Sequence, residues 1–152
     1  MRTFLLIFIS LLFITIKTAA QPKHEIRATW ITTLGGMDWP RNKATNANGI
    51  RRQQQELRDI LDQLKEANFN TVMLQTRLRG DLIYPSAFET FPEALTGKTG
   101  RNPGYDPLAF AIEECHKRGM EIHAWMVAVP LGGDDVHKEL GSLSITKQHR
   151  AL

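Results

Sequence analysis

The sequence is poor in the features that announce many functions. It has one cysteine, Cys115, so no intramolecular disulfide can form in any compartment. Gly35-Gly36 does not fit a G-x-G-x-x-G pattern and no P-loop occurs, which sets nucleotide binding aside. No basic cluster stands out, so no nucleic-acid partner is expected. No second His or Cys lies at ligand spacing from His123, and neither a metal nor a cofactor is expected. Asp134-Asp135 with Glu139 reads as a solvated helix start near the positive end of the dipole rather than a metal site. Internal repeats and low-complexity tracts are absent. The longest apolar run, Leu5 to Ile16, is too short to span a bilayer comfortably.

What is present begins with a processing segment over residues 1–20. Arg2 supplies a positive start, Leu5 to Ile16 an apolar centre, and Thr18-Ala19-Ala20 a small-residue cleavage site. Gln21 is expected to begin the mature protein, placing it in the periplasm, at the cell surface or outside the cell. No membrane association is expected after cleavage. Of the 19 Lys plus Arg, Arg2 and Lys17 leave with this segment, so 17 stand against 16 Asp plus Glu, a net charge of +1. The mature part, 132 of the 152 residues, suffices for one small domain.

Hydropathy patterning predicts strands and helices in alternation. Glu25 to Thr32 reads as a strand rich in β-branched and aromatic residues. A loop follows to Gly49, and then a helix over roughly Ile50 to Asn68, with Leu57, Ile60, Leu61 and Leu64 on one face. The second strand opens at Thr71. A second long loop, about Leu78 to Tyr105, precedes a helix capped by Asp106, started by Pro107 and stopped by Gly119. Leu108, Ala111, Ile112 and Cys115 form its apolar stripe, so Cys115 is expected to be buried and inert. Met120 to Val129 is the third strand. The order β-α-β-α-β implies parallel strands. Glu121, His123 and Trp125 share one strand face, and a polar face of this kind favours a barrel over a doubly wound sheet.

The segment from Thr71 to Pro85 is the most informative stretch. Val72, Met73 and Leu74 are apolar, and Gln75, Arg77, Arg79 and Asp81 follow at the strand exit. Ligands of parallel α/β folds sit at the C-terminal strand ends. The loops leaving strands one and two, about 17 and 28 residues long, far exceed the usual 2–6 residues. Both carry aromatics (Trp39; Tyr84, Phe88, Phe91), which suits a sugar-binding cleft.

Several ordered blocks carry a family resemblance. Arg27-x-x-Trp30 with Asp38-Trp39 comes first, followed by Gln75-x-Arg77-x-Arg79-Gly80-Asp81-x-x-Tyr84-Pro85-Ser86. Pro103-Gly104-Tyr105-Asp106-Pro107-Leu108 and His123-Ala124-Trp125 complete the set. Over about residues 24–130 the chain resembles the start of the glycosyl hydrolase-like family ten domain, secreted or lipoprotein bacterial proteins with a (β/α)₈ barrel. The resemblance implies cleavage of a bacterial glycan, with cell-wall peptidoglycan among the substrates. It puts Asp38, Trp39, Gln75, Arg77, Arg79, Asp81, His123 and Trp125 around the mouth of the barrel as substrate-binding residues. No specific protein partner is implied. Many relatives continue after His-Ala-Trp with an Asn-Pro-Tyr-Arg type of sequence, where this chain has Met126-Val127-Ala128-Val129-Pro130.

Each residue also has a structural reading. Asp81 is the one weak candidate for catalysis, or else it pairs with Arg77 or Arg79 to fix the loop. Arg77 and Arg79 bind substrate or form an internal ion-pair network. His123 is a proton shuttle or a hydrogen-bonded interior residue. Trp125 and Trp39 are sugar platforms, or core and loop anchor respectively.

A (β/α)₈ barrel needs at least about 200 residues. The expectation is therefore a partial barrel: residues 21–130 supply the first three parallel strands with two to three helices, and 131–152 a truncated continuation. Glycoside hydrolysis needs two carboxyl groups flanking the scissile bond. In barrel glycosidases these follow strands four and seven, so the catalytic pair is expected beyond Leu152 and the chain alone is expected to be inactive. A non-catalytic glycan-binding remnant and an incomplete gene product are the alternatives.

Overall fold

A computed structural model describes residues 25–128. The expected processing segment and residues 129–152, including Asp134, Asp135 and Glu139, lie outside the described residues. Three strands, β1 (Ala28–Ile31), β2 (Thr71–Arg77) and β3 (Glu121–Met126), form one parallel sheet in the order β1-β2-β3. Helix α1 (Ala47–Glu66) connects β1 to β2. A short helix α2 (Glu93–Thr96) and helix α3 (Pro107–Lys117) connect β2 to β3. This is a partial (β/α) barrel, as the alternation of elements predicts. Among the described residues no helix is long and apolar enough to cross a membrane.

Local chemistry fixes where each helix begins and ends. Helix α1 starts three residues before Ile50 because Asn46 caps it, its side chain accepting from the backbone N–H groups of Asn48 and Gly49 at 3.0 and 2.9 Å. Gly49 has no room for a side chain, since a Cβ there would collide with the Lys43 carbonyl oxygen. The helix ends at Glu66, and Asn68 takes the left-handed conformation, φ 63°, that reverses the chain into β2. Helix α3 behaves as its sequence predicts. Asp106 accepts from Ala109 N–H at 3.0 Å, Pro107 occupies the first turn, and Gly119 (φ 61°) ends it. The unpredicted α2 is a single turn inside the second long loop.

The core lies between the sheet and the helices. Ile31, Val72 and Leu74 from one face of the sheet pack with Leu57 and Leu61 of α1, Ala111 and Cys115 of α3, and Met120. Burial of each large side chain stabilises the fold by about 1.5–3 kcal/mol. Ile112 falls at the edge of its stripe and remains 37% exposed, a small departure from the predicted apolar face. Cys115 is buried, and burial pushes its thiol up to about 11, leaving it protonated and unreactive. An ion network ties α3 to α1. Glu114 of α3 meets Arg58 of α1 at 3.3 Å and Arg118 at 2.7 Å, and Arg118 reaches Asp62 of α1 at 2.7 Å.

Among the described residues no element covers the opposite face of the sheet. Register places Trp30, Met73 and His123 side by side, with Trp125 beside Gln75. Trp30 is 60% exposed and meets Trp125 edge to face, ring centroids 5.0 Å apart. In a closed barrel this face is the interior.

Candidate functional site

The site is built at the C-terminal ends of β1 and β2. Gln75, near the end of β2, is buried, and its Oε1 accepts from Thr32 Oγ1 (2.7 Å), Thr33 N–H (3.0 Å) and Leu34 N–H (3.2 Å). One amide oxygen thus turns the chain out of β1 into a single 3₁₀ turn, Leu34–Gly36. Asp38 closes that loop by accepting from Thr32 N–H at 2.9 Å. Trp39 is fully buried, follows with a cis peptide to Pro40, and donates its indole N–H to the Gln53 carbonyl at 3.0 Å. Gln75, Asp38 and Trp39 therefore form the frame of the site. A ring at zero exposure presents no face to a sugar, so Trp39 is the loop anchor of its two readings.

Beyond Gln75 a bulge between Gln75 and Arg77 shifts the register of β2 against β3. Arg77 does enter an internal ion pair, but its partner is Glu89 rather than Asp81. The guanidinium grips the Glu89 carboxylate through two arms, the Nε–Oε2 arm at 2.8 Å, and its Nη1 donates to the Val127 and Ala128 carbonyls. Tip of β2, second long loop and exit of β3 are thereby fixed together. That loop is ordered along its length by Ile83 N–H to Thr76 O (3.1 Å) and Leu82 N–H to Thr90 O (2.8 Å).

Asp81 bonds to Arg79 through the backbone: its Oδ1 accepts from Arg79 N–H at 3.4 Å, with no ion pair between the side chains. Both residues line a recess of about 210 Å³ whose walls include Thr33, Leu34, Glu93 and Thr99. Burial raises the Asp81 carboxyl above the usual carboxylate range, against the lowering effect of the Arg79 N–H and the Arg79 charge. Other charged groups around the rim are engaged elsewhere. Arg77 holds Glu89, Glu56 accepts from Arg41 N–H and Asn42 N–H, and Lys43 donates to the Ala94 carbonyl. Arg79, Asp81 and Glu93 have no side-chain ion pair among the described residues.

His123 and Trp125 lie on the interior face of the sheet rather than in this recess. Trp125 pairs with Gln75 at the rim, and His123 lies two residues further in, exposed, 3.5 Å from Glu121. Gln75 and His123 thus share a sheet face, while Arg77 stands at the rim beyond the bulge. The loop aromatics do not line the recess either. Phe91 is buried, Tyr84 half-buried, and Phe88 projects outward at 82% exposure. A larger groove of about 660 Å³ runs along the outer edge of β1 and the flank of α1; Asp38 lines it, and the other predicted site residues do not.

Two residues that hold the site have little sequence signature. Gln53, wholly buried, donates to the Asn42 and Leu95 carbonyls and accepts from Tyr105 O–H at 2.6 Å, joining both long loops to α1. Its one signal is the four-residue spacing from Leu57 and Leu61 on the buried stripe. Glu89 has none, because its pairing with Arg77 depends on how the loop folds back. Among the described residues no group of three or more His, Cys, Asp or Glu is placed to hold a metal ion.

Similarity to known proteins agrees with this architecture. The chain is 44% identical over 106 residues to the glycosyl hydrolase YngK of Bacillus subtilis (strain 168), covering 70% of this chain and 20% of that protein. It is 40% identical over 112 residues to the glycosyl hydrolase DigH of Escherichia coli (strain K12), covering 71% of this chain and 26% of that protein, and matches DigH of Shigella flexneri equally. The chain thus spans about a fifth to a quarter of the length of these relatives. Residues 25–150 match the model of the family described as Glycosyl hydrolase-like 10, and the chain belongs to that family.

Proposed function

We propose that this chain forms the first wall of the cleft of an exported glycoside hydrolase acting on a bacterial glycan, with cell-wall peptidoglycan as the substrate class. Family membership supports hydrolysis of glycosidic bonds, and the processing segment at residues 1–20 supports export. The observation that carries the reading is the sorting of charges at the strand tips. Arg77, Glu89, Glu56 and Lys43 serve internal bonds, whereas Arg79, Asp81 and Glu93 face a recess without ion-pair partners among the described residues. Unspent charged groups at the C-terminal ends of parallel strands are where this fold binds its ligands. In this reading Asp81 binds substrate. The paired carboxyl groups that cleave the bond belong to strands beyond the three described.

The test is retention of the full chain on insoluble peptidoglycan and on a panel of immobilised polysaccharides, with released reducing ends measured in parallel. Retention on a glycan that weakens in Asp81→Asn is the expected result. Release of product by this chain alone would contradict the assignment of the catalytic pair to other strands. Absence of retention on every glycan would refute the functional reading.

A further inference from the structure

We propose that the recess at the tips of β1 and β2 seats one neutral pyranose ring, Arg79 and Asp81 holding its hydroxyls and Glu93 turning away rings that carry a carboxylate. The inference rests on the glycan-binding reading above and specifies which sugar chemistry enters this subsite. Volume sets the first limit. About 210 Å³ is below the usual 300–1,000 Å³ of a pocket for a drug-sized ligand, so one ring is accommodated rather than an oligosaccharide.

The chemistry of the walls sets the second. Leu34, Leu78 and Pro92 offer an aliphatic surface to a ring face, and no aromatic side chain lines the recess. Arg79 brings guanidinium donors, with no acceptor among the described residues claiming them. Asp81 has one oxygen in a long bond to Arg79 N–H, 3.4 Å, and is free to engage a hydroxyl with the other. A donor and an acceptor drawn from residues two apart in one loop suit adjacent hydroxyls, each of which both donates and accepts.

Charge sets the third limit. One cation, Arg79, is set against two carboxyl groups, Asp81 and Glu93, in the same small space. Glu93 is exposed and has no side-chain hydrogen bond or ion pair among the described residues, so its charge is not cancelled by a neighbour. A sugar carboxylate entering here meets Arg79 but also Glu93, and it raises the local negative charge around Asp81. A hydroxylated neutral ring meets no such opposition.

The experiment compares chitotetraose with the same oligomer oxidised at C6 to the uronic acid, binding to the full chain by calorimetry at low ionic strength. The wild-type chain is expected to bind chitotetraose at least ~10-fold tighter. Asp81→Asn, which preserves shape, is expected to weaken chitotetraose about 10-fold. Glu93→Gln, at an exposed position that tolerates the change, is expected to tighten the oxidised probe about 10-fold and so to erase the preference for chitotetraose. Circular dichroism of both variants checks that they fold. A wild-type preference for the oxidised probe overturns the proposal. Binding that neither variant changes also overturns it, placing the sugar elsewhere while leaving the glycan reading intact. No binding of either probe overturns the subsite assignment, while the glycan reading is decided by the retention panel.

Discussion

Glu89→Gln tests whether the fork between Arg77 and Glu89 holds the rim together. Both side chains are 11% exposed, so replacing the carboxylate by an amide leaves a guanidinium mostly shielded from water, facing one amide oxygen and the Val127 and Ala128 carbonyls with no counter-charge. Breaking a buried pair from one side costs about 3–5 kcal/mol. Residual exposure, the surviving carbonyl bonds and the acceptor the amide retains put the expected loss near the lower end, about 3 kcal/mol. With a urea dependence of about 1–3 kcal/mol/M, the midpoint falls by about 1–3 M. The companion is Arg77→Met with Glu89→Leu, which removes both charges and fills similar volume. It should lie within about 1 kcal/mol of the wild type, because the cost in the single variant is the stranded charge rather than the lost attraction. Urea unfolding at one fixed protein concentration gives the midpoints, fixed because association shifts them. Hydrogen exchange at 127–128 and 78–90 should accelerate in Glu89→Gln. A single variant within 0.5 kcal/mol of wild type (about zero on this scale), or a double variant as weak as the single, would refute the reasoning.

Three further outcomes follow from the described residues. Burial alone would raise the Glu114 carboxyl, yet hydrogen bonds from Arg118, Lys117 and Arg58 override it and hold the group down at about 2, against an ordinary 4.5. Its contribution, on the order of 3 kcal/mol, is complete above pH 4.5 and is lost as pH falls toward 2, so acid titration of Glu114→Gln should lack that portion of the stability loss. Trp39→Phe should cost about 1–3 kcal/mol by removing the indole bond to the Gln53 carbonyl, which keeps its helical partner, and by leaving a void in the buried site, without altering glycan affinity when compared under folded conditions; a selective loss of affinity would return Trp39 to the binding surface. The chain over residues 21–152 should self-associate in sedimentation velocity, because among the described residues β1 and β3 each have an unpaired edge and Trp30 is 60% exposed; a monomer with a sharp cooperative melt would contradict this.

The sequence alone determined the order of elements, the parallel sheet and the inward and outward faces of each strand. These depend on local periodicity and on caps such as Asp106 and Gly119, which act within a few residues. It also marked the exit of β2 as the place where polar chemistry collects. Which of those polar residues are available was decided only by the tertiary structure. Gln75 and Arg77 look like ligands in the sequence, yet their partners are Leu34 and Glu89, the first 41 residues away along the chain, whereas Asp38 commits one oxygen to Thr32 N–H and stays exposed. Trp39 looks like a platform until the loop closes over it and Gln53 takes its indole N–H. Folding decides which donors and acceptors meet, and a linear pattern of residue types does not record those meetings.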